Sequence, residues 1–246
     1  MTLEEEFERS GGWLFRWRSY LPLALTSIIL PAMLQFHYPG DSKKLHDLWA
    51  MACLLVSFFG LGVRIITTGH TSKRTSGRNT KRQAANTLNT TGMYSIVRHP
   101  LYVGNLFMFI GPVLYLHLWW LTLIYLLLFW LYYERIMFAE EAFLRKKFGD
   151  AFLTWANKTP AFLTRFKNYV KADLPFSTKR VLKKEYNGFF AVIVAIFILK
   201  QLGEMVMNEK FHLDLPWAAL LSFGFIVWVT LRILKKRTTL LSEHNR

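Results

Sequence analysis

The 246-residue chain is 52% hydrophobic and 16% aromatic, yet 31 Lys and Arg against 16 Asp and Glu give it a formal charge of +15. So much apolar side chain excludes a disordered polyelectrolyte or a collagen-like fibre, and a single cysteine, Cys53, excludes an internal disulfide framework and a cysteine-built zinc cluster. What is left is a membrane protein, or a basic soluble protein with unusually apolar helices.

The first residues are acidic (Glu4, Glu5, Glu6, Glu8) and then amphipathic. No basic stretch or small-residue cleavage site precedes the first apolar run, so that run is expected to remain as an anchor. Apolar runs follow at roughly 19–36, 47–66, 101–116, 118–138, 187–204 and 215–234. A bilayer core of about 30 Å takes about 20 helical residues. The pattern therefore predicts an all-α integral membrane protein with about six transmembrane helices, five at the fewest. The third run is short and holds Gly104, Gly111 and Pro112, which predicts a tilt, a kink or partial insertion. His117 alone separates it from the fourth, which predicts a tight hairpin.

Charge gives the orientation. With both termini in the cytoplasm, every Lys and Arg except Lys43, Lys44, Lys200 and Lys210 falls inside or at a cytoplasmic helix end, as the positive-inside rule requires. Trp13, Trp17, Trp119, Trp120, Trp130 and Trp217 fall near span ends or loops, as an interfacial belt would. The basic residues follow loop topology and no zinc, helix-turn-helix or stacking module accompanies them, so nucleic acid is not an expected partner, nor is a protein. The expected organisation is residues 1–66 as N-terminal membrane helices, 67–170 as a core of basic loop, helical hairpin and amphipathic tail, and 171–246 as a basic linker with a C-terminal helix pair. Segments 67–100 and 139–186 face the same compartment at the ends of the central hairpin, so a site is expected there.

At the start of the third run the chain reads Gly92-Met93-Tyr94-Ser95-Ile96-Val97-Arg98-His99-Pro100-Leu101-Tyr102-Val103-Gly104-Asn105. Pro100 disfavours helix at His99 and suits the first helical position. Arg98 and His99 then sit at a helix N-terminus, where free N–H groups and the dipole attract anions. Tyr102 and Asn105 share a face of the first turns, and Gly104 permits close approach to the backbone. The fourth run ends in Tyr133-Glu134-Arg135 and Glu140-Glu141. Carboxylates at a helix C-terminus oppose the dipole and, near a bilayer, are candidates for function. The hairpin should bring Arg98, His99 and Tyr102 near Glu134, Glu140 and Glu141. Read singly, each of these residues also fits an ordinary anchor at a membrane surface.

The string Arg98-His99-Pro100-Leu101-Tyr102-Val103-Gly104, then Glu140-Glu141, Leu144, Phe148-Gly149 and Pro160, resembles the isoprenylcysteine carboxyl methyltransferase and phospholipid methyltransferase superfamily over roughly residues 88–165. The resemblance implies an integral membrane enzyme that binds S-adenosylmethionine without a Rossmann domain. It implies catalytic roles for Arg98, His99, Tyr102 and Glu141. It implies a cofactor pocket formed by Gly92, Tyr94, Arg98, His99, Pro100, Tyr102, Gly104, Asn105, Glu140 and Glu141, with no metal. The tail tyrosines usual in the family read Phe152 and Trp155, which removes any hydrogen bond from those hydroxyls. The basic insert at 71–82 lies outside the minimal pattern.

An activated methyl needs mainly a nucleophile held in line and water kept out. An anionic oxygen needs no general base; an amine would need one, and His99 or a glutamate would be the candidate. Lys73, Arg74, Arg78, Lys81, Arg82 and Arg135 are the cations expected to gather an anionic head group, each contributing about 1 kcal/mol near an anionic surface. The expected acceptor is thus a membrane-embedded lipid phosphate or carboxylate; a prenylated cysteine carboxylate and an aminophospholipid stay open. The expected place is a bilayer, the bacterial inner membrane or, in a eukaryote, the endoplasmic reticulum, with the site on the cytoplasmic side. Membrane sterol reductases share an R-H-P-x-Y-x-G string and use a nicotinamide cofactor, but they continue with an acidic residue where this chain has Asn105. A non-catalytic membrane scaffold is the third class kept open.

Overall fold

The computed structural model describes residues 2–18, 20–72, 85–208 and 213–242, with the side chains of 21–26, 41 and 208 left aside. Every regular element in it is helical. In chain order these are α1 (Leu3–Trp17), α2 (Leu21–Ala32), α3 (Lys43–Gly69), α4 (Met93–Ile96), α5 (Pro100–Leu114), α6 (Trp119–Phe148), α7 (Asp150–Lys158), α8 (Thr178–Asn208) and α9 (Leu215–Arg237). Four of them, α3, α6, α8 and α9, are long and apolar enough to cross a membrane. The runs at 19–36 and 101–116 give shorter helices, 12 and 15 residues. At about 1.5 Å per residue these reach about 18 and 22 Å, short of the about 30 Å core. Pro100 starts α5 and a 3₁₀ turn at Met33–Gln35 succeeds α2, so local chemistry truncates both.

Start and stop signals explain most boundaries. Thr2 and Glu5 form a reciprocal capping box on α1. Ser42 caps α3 through the Leu45 N–H. Gly149, at φ 52°, ends α6, whose last turn carries the cations Arg145, Lys146 and Lys147 against the negative end of the helix dipole. The α5–α6 turn is as tight as its sequence implies, with His117 itself in the left-handed region at φ 58°.

In lipid, apolar burial does little to join one helix to another, so close backbone approach and polar pairing do it. α5 runs antiparallel to α3 with glycine at the crossing. A Cβ on Gly104 would lie 2.5 Å from Arg64 Cγ and 2.8 Å from the Gly60 carbonyl, and one on Gly111 would strike Ser57. The closest neighbour of α5 is therefore α3, while the short loop places α6 on its other side. α8 packs on α3, and α9 lies against α8 through Gly224, which faces Ile193 and Phe190. α1 lies antiparallel along the second half of α6: Phe7 meets Phe138 edge-on at 5.7 Å, and Arg135 donates to Ser10 at 3.2 Å. Trp217 is buried beneath Lys200, 5.7 Å from its ring, rather than at a lipid-facing belt.

One end of the bundle gathers the end of α3, the start of α5, the end of α6 and the start of α8; it carries most of the basic residues and is called the basic end below. The opposite end gathers the start of α3, the α5–α6 turn, the end of α8 and the start of α9.

Candidate active site

His99 takes the N-cap position of α5, in a non-helical conformation imposed by Pro100, and Arg98 precedes it at a bend. Residues 159–177 form a strap that fixes this corner from the other side. Arg98 N donates to the Pro160 carbonyl (2.9 Å), His99 N to that of Ala161 (3.3 Å), and Arg165 N to that of Ile96 (2.9 Å). Farther along, Gly92 N bonds to Val170 O, and Ser177 N bonds to Gly69 O at the end of α3. Gly92 has φ 61°, and a Cβ there would sit 3.1 Å from Ala172. The approach that Gly92 allows is therefore that of the strap.

α6 continues unbroken past the apolar run to Phe148, and this brings Glu140 and Glu141 level with the start of α5. Arg98 Nη1 donates to Glu141 Oε2 at 2.7 Å. His99 Nε2 lies 2.8 Å from Glu141 Oε1, and its Nδ1 lies 3.6 Å from Glu140 Oε2. The Tyr102 hydroxyl donates to Glu140 Oε2 at 2.8 Å. The His99 side chain is 5% exposed, whereas Glu140 and Glu141 keep 32% and 23%. A buried imidazole thus backs two carboxylates that remain open to a ligand. Burial opposes the charged imidazole, but hydrogen bonds and charge from Glu140 and Glu141 prevail, so the His99 pKa is raised above its ordinary value. Burial, and after it the negative charge of Glu140, push the Tyr94 phenol up, so it stays a neutral hydroxyl. Arg98 Nε is buried with no hydrogen-bond partner among the described residues. An orphaned guanidinium N–H beside open carboxylates suits a ligand carrying both an anionic group and cationic or hydroxyl groups.

The structure thus gathers Arg98, His99, Tyr102, Glu140 and Glu141, with Tyr94 close by and Pro100 buried as the first residue of α5. Four expectations are corrected. Glu134 is exposed and takes no part, because the meeting point is set by residues 140 and 141, two turns farther along α6. Gly104 faces α3. Arg135 turns to α1, with its guanidinium 4.6 Å from the Phe7 ring, and so is not placed to face a head group beside the carboxylates. Asn105 lies a turn deeper, between Arg64 Nη1 (2.6 Å) and the Tyr133 hydroxyl (2.9 Å). Lys73, Arg74, Arg78, Lys81 and Arg82 lie outside the described residues. The tail departure is made good in part: Trp155 Nε1 donates to the Tyr94 carbonyl at 3.0 Å, a bond no phenylalanine offers.

Sequence reasoning missed Arg64 and Glu185. Arg64 Nε and Nη2 reach the Glu185 carboxylate at 2.9 and 3.1 Å, and Thr68 Oγ1 adds a third bond at 3.2 Å. The signal was a lone arginine in an apolar run and a lone glutamate after Lys183-Lys184, but 121 residues separate them.

The region that holds these residues resembles known proteins. Residues 49–151, from the first turns of α3 to the start of α7, match the family described as phospholipid methyltransferase. The chain is 36% identical over 118 residues to the cobalt-zinc-cadmium resistance protein CzcN of Cupriavidus metallidurans, covering 47% of this chain and 52% of that protein. It is 33% identical over 156 residues to the nickel-cobalt-cadmium resistance protein NccN of Alcaligenes xylosoxydans xylosoxydans, covering 63% and 68%. It is 35% identical over 81 residues to the protein-S-isoprenylcysteine O-methyltransferase of Schizosaccharomyces pombe, covering 33% and 34%. The match thus spans about half of the first relative and about two thirds of the second. No solved structure matches the chain. With multi-pass helices, a family match that takes in α5 and α6 whole, and a relative aligned over more than two thirds of its length, the chain belongs to the phospholipid methyltransferase family.

Proposed function

We propose that the chain transfers a methyl group from S-adenosylmethionine to an anionic oxygen, phosphate or carboxylate, on a membrane-embedded acceptor. The observation that carries this reading is the open Glu140–Glu141 pair tied to Arg98, His99 and Tyr102 at the end of α6. S-adenosylmethionine, when bound, supplies a methyl on a positively charged sulfur, which leaves as a neutral thioether once the acceptor oxygen takes the methyl. Arg98, with its buried unpartnered Nε, would hold the cofactor's carboxylate beside the start of α5. Glu140 and Glu141 would hold its amino group or ribose hydroxyls. The strap closes one side of the corner by its bonds to residues 91–99, which helps exclude water.

The state of His99 bears on the acceptor. A histidine whose pKa is raised is more often already protonated and so less often free to take a proton, and both glutamates already accept hydrogen bonds. That arrangement favours an acceptor that is anionic from the start over an amine that must first lose a proton. The names of the two resistance proteins speak of metals and name no reaction or acceptor; that of the third names an isoprenylcysteine O-methyltransferase, consistent with a carboxylate. The basic end then faces the cytoplasm, and the segment from Lys73 to Arg82 serves to gather acceptors bearing phosphate.

The test is transfer of labelled methyl from S-adenosylmethionine into total lipid extract by the purified protein in detergent, with His99→Ala alongside. A labelled lipid lost in the variant supports the reading, and its alkali stability sorts phosphate ester from carboxyl ester or amine. Cofactor binding without labelled lipid points to an acceptor absent from the extract, such as a prenylcysteine. Binding of NADPH in place of S-adenosylmethionine overturns the reading in favour of a reductase, and binding of neither favours a scaffold.

A further inference from the structure

Four residues from four helices form one chain of hydrogen bonds beneath the carboxylates: Glu185 on α8, Arg64 on α3, Asn105 on α5 and Tyr133 on α6. Its direction is set by chemistry. A guanidinium has donors only, so the Asn105 atom at 2.6 Å from Arg64 Nη1 is the carbonyl oxygen. The Asn105 NH2 group then faces Tyr133 at 2.9 Å and donates to the phenol oxygen. The hydroxyl hydrogen of Tyr133 consequently points elsewhere, and it meets no acceptor among the described residues. Tyr133 is 3% exposed, and a buried hydroxyl hydrogen without an acceptor is costly. The ring of Tyr133 lies 4.8 Å from that of Tyr102, whose hydroxyl holds Glu140. The Tyr133 ring therefore packs against the residue that holds Glu140, one step farther toward the middle of the apolar helices.

We propose that Tyr133 donates this hydrogen to the anionic oxygen of the methyl acceptor, and that Glu185, Arg64 and Asn105 are positioning residues that keep it available. This rests on the methyltransferase reading of the site. Each member has a distinct task. Glu185, 5% exposed, neutralises Arg64 and fixes its plane through two bonds. Arg64 locks the Asn105 carboxamide against flipping. Asn105, by donating into the phenol oxygen, both orients the hydroxyl and strengthens it as a donor. α8 lies outside residues 49–151, so the C-terminal helix pair gains a part in acceptor recognition through a single side chain.

Two nearly isosteric variants test this. Tyr133→Phe deletes the hydroxyl. Asn105→Asp keeps the shape but can only accept, so it captures the Tyr133 hydrogen and withdraws it from the acceptor. The probes are dioleoyl phosphatidic acid and N-acetyl-S-farnesyl-L-cysteine, one phosphate and one carboxylate, titrated against the full-length protein in detergent without cofactor. The wild type is expected to bind at least one, and both variants to bind it about tenfold more weakly, the usual scale for losing a hydrogen bond to a charged group. Glu185→Gln should weaken it less. S-adenosylmethionine affinity should stay near wild type in Tyr133→Phe, while its melting temperature falls modestly because the Asn105 NH2 loses its acceptor. A merely structural chain predicts otherwise: Asn105→Asp would gain an ion pair with Arg64 and bind the probe as before. Equal probe binding by wild type and both variants overturns the proposal, as does a wild type that binds neither probe. Since these titrations contain no cofactor, failure of the S-adenosylmethionine reading shows only in the cofactor titration, and the two failures are told apart.

Discussion

Both ends of the bundle bury charged side chains, and the two clusters are built to different ends. At the basic end, Arg98, His99 and Tyr102 face Glu140 and Glu141, and both carboxylates stay between a fifth and a third exposed. At the opposite end, Lys200 is 1% exposed and its ammonium meets Asp47 (2.5 Å), Glu204 (3.2 Å) and Asp214 (3.3 Å), with Lys43 also on Glu204. Its ammonium hydrogen-bonds Asp47 and Glu204 and lies in ion-pair range of Asp214. That cluster ties α3, α8 and the start of α9 together. The other leaves carboxylate surface and an orphaned Arg98 N–H for something not part of the chain. Glu204 Oε2 is itself buried without a hydrogen-bond partner among the described residues, so neither buried charge nor unmet bonding marks a site by itself; carboxylates left open to solvent do.

The comparison predicts separable failures. Glu141→Ala or His99→Ala should lower methyl transfer at least about a hundredfold, the scale for losing alignment of reacting groups, with the melting temperature changed far less. Assays of initial rate beside thermal unfolding in detergent decide this, and retained activity in both variants would mean that the site is misplaced. Lys200→Met should do the reverse. It leaves Asp47 and Asp214 without this cation and Glu204 with Lys43 alone, at a cost of about 3–5 kcal/mol, while transfer per folded molecule persists; a folded variant with lost activity would break the contrast. Gly104→Leu should damage both readouts, since its side chain would force α5 away from Arg64 and Gly60 and overpacking costs about 1–3 kcal/mol.

A pH scan gives a smaller and signed effect. The folded pKa of His99 is raised above an unfolded value near 6.5, so its pairing with Glu140 and Glu141 stabilises fully below about pH 6.5. That contribution is lost as pH rises through the raised value. Melting temperature followed from about pH 6 upward should fall, and His99→Gln should flatten the slope; an unchanged slope would remove His99 as its cause. The smallest effect sharpens the site's boundary. Glu134→Gln, at an exposed carboxylate short of the pair, should leave transfer unchanged and stability within about 0.5 kcal/mol.

Much of this was legible in the residues. Hydropathy placed six apolar segments, four of which became helices of spanning length. Pro100 located the start of α5, and the spacing of His117 located the hairpin that sets residues 98–102 against 140–141. Other features were hidden for physical reasons. Gly104 reads as an opening for a ligand until α3 is seen to fill it, because a glycine declares only that something comes close. Arg135 and Glu134 look alike along α6, and only the packing of α1 decides that one is covered and the other is not.

The sequence by itself determined the membrane class, the start of α5 and the motif residues, since these follow from transfer of apolar side chains and from proline geometry, all short-range effects. Tertiary structure alone decided which charges meet. Lys200 with Asp47, and Arg64 with Glu185, are pairs 153 and 121 residues apart, and a buried charge is stable only where the fold happens to bring its counter-charge.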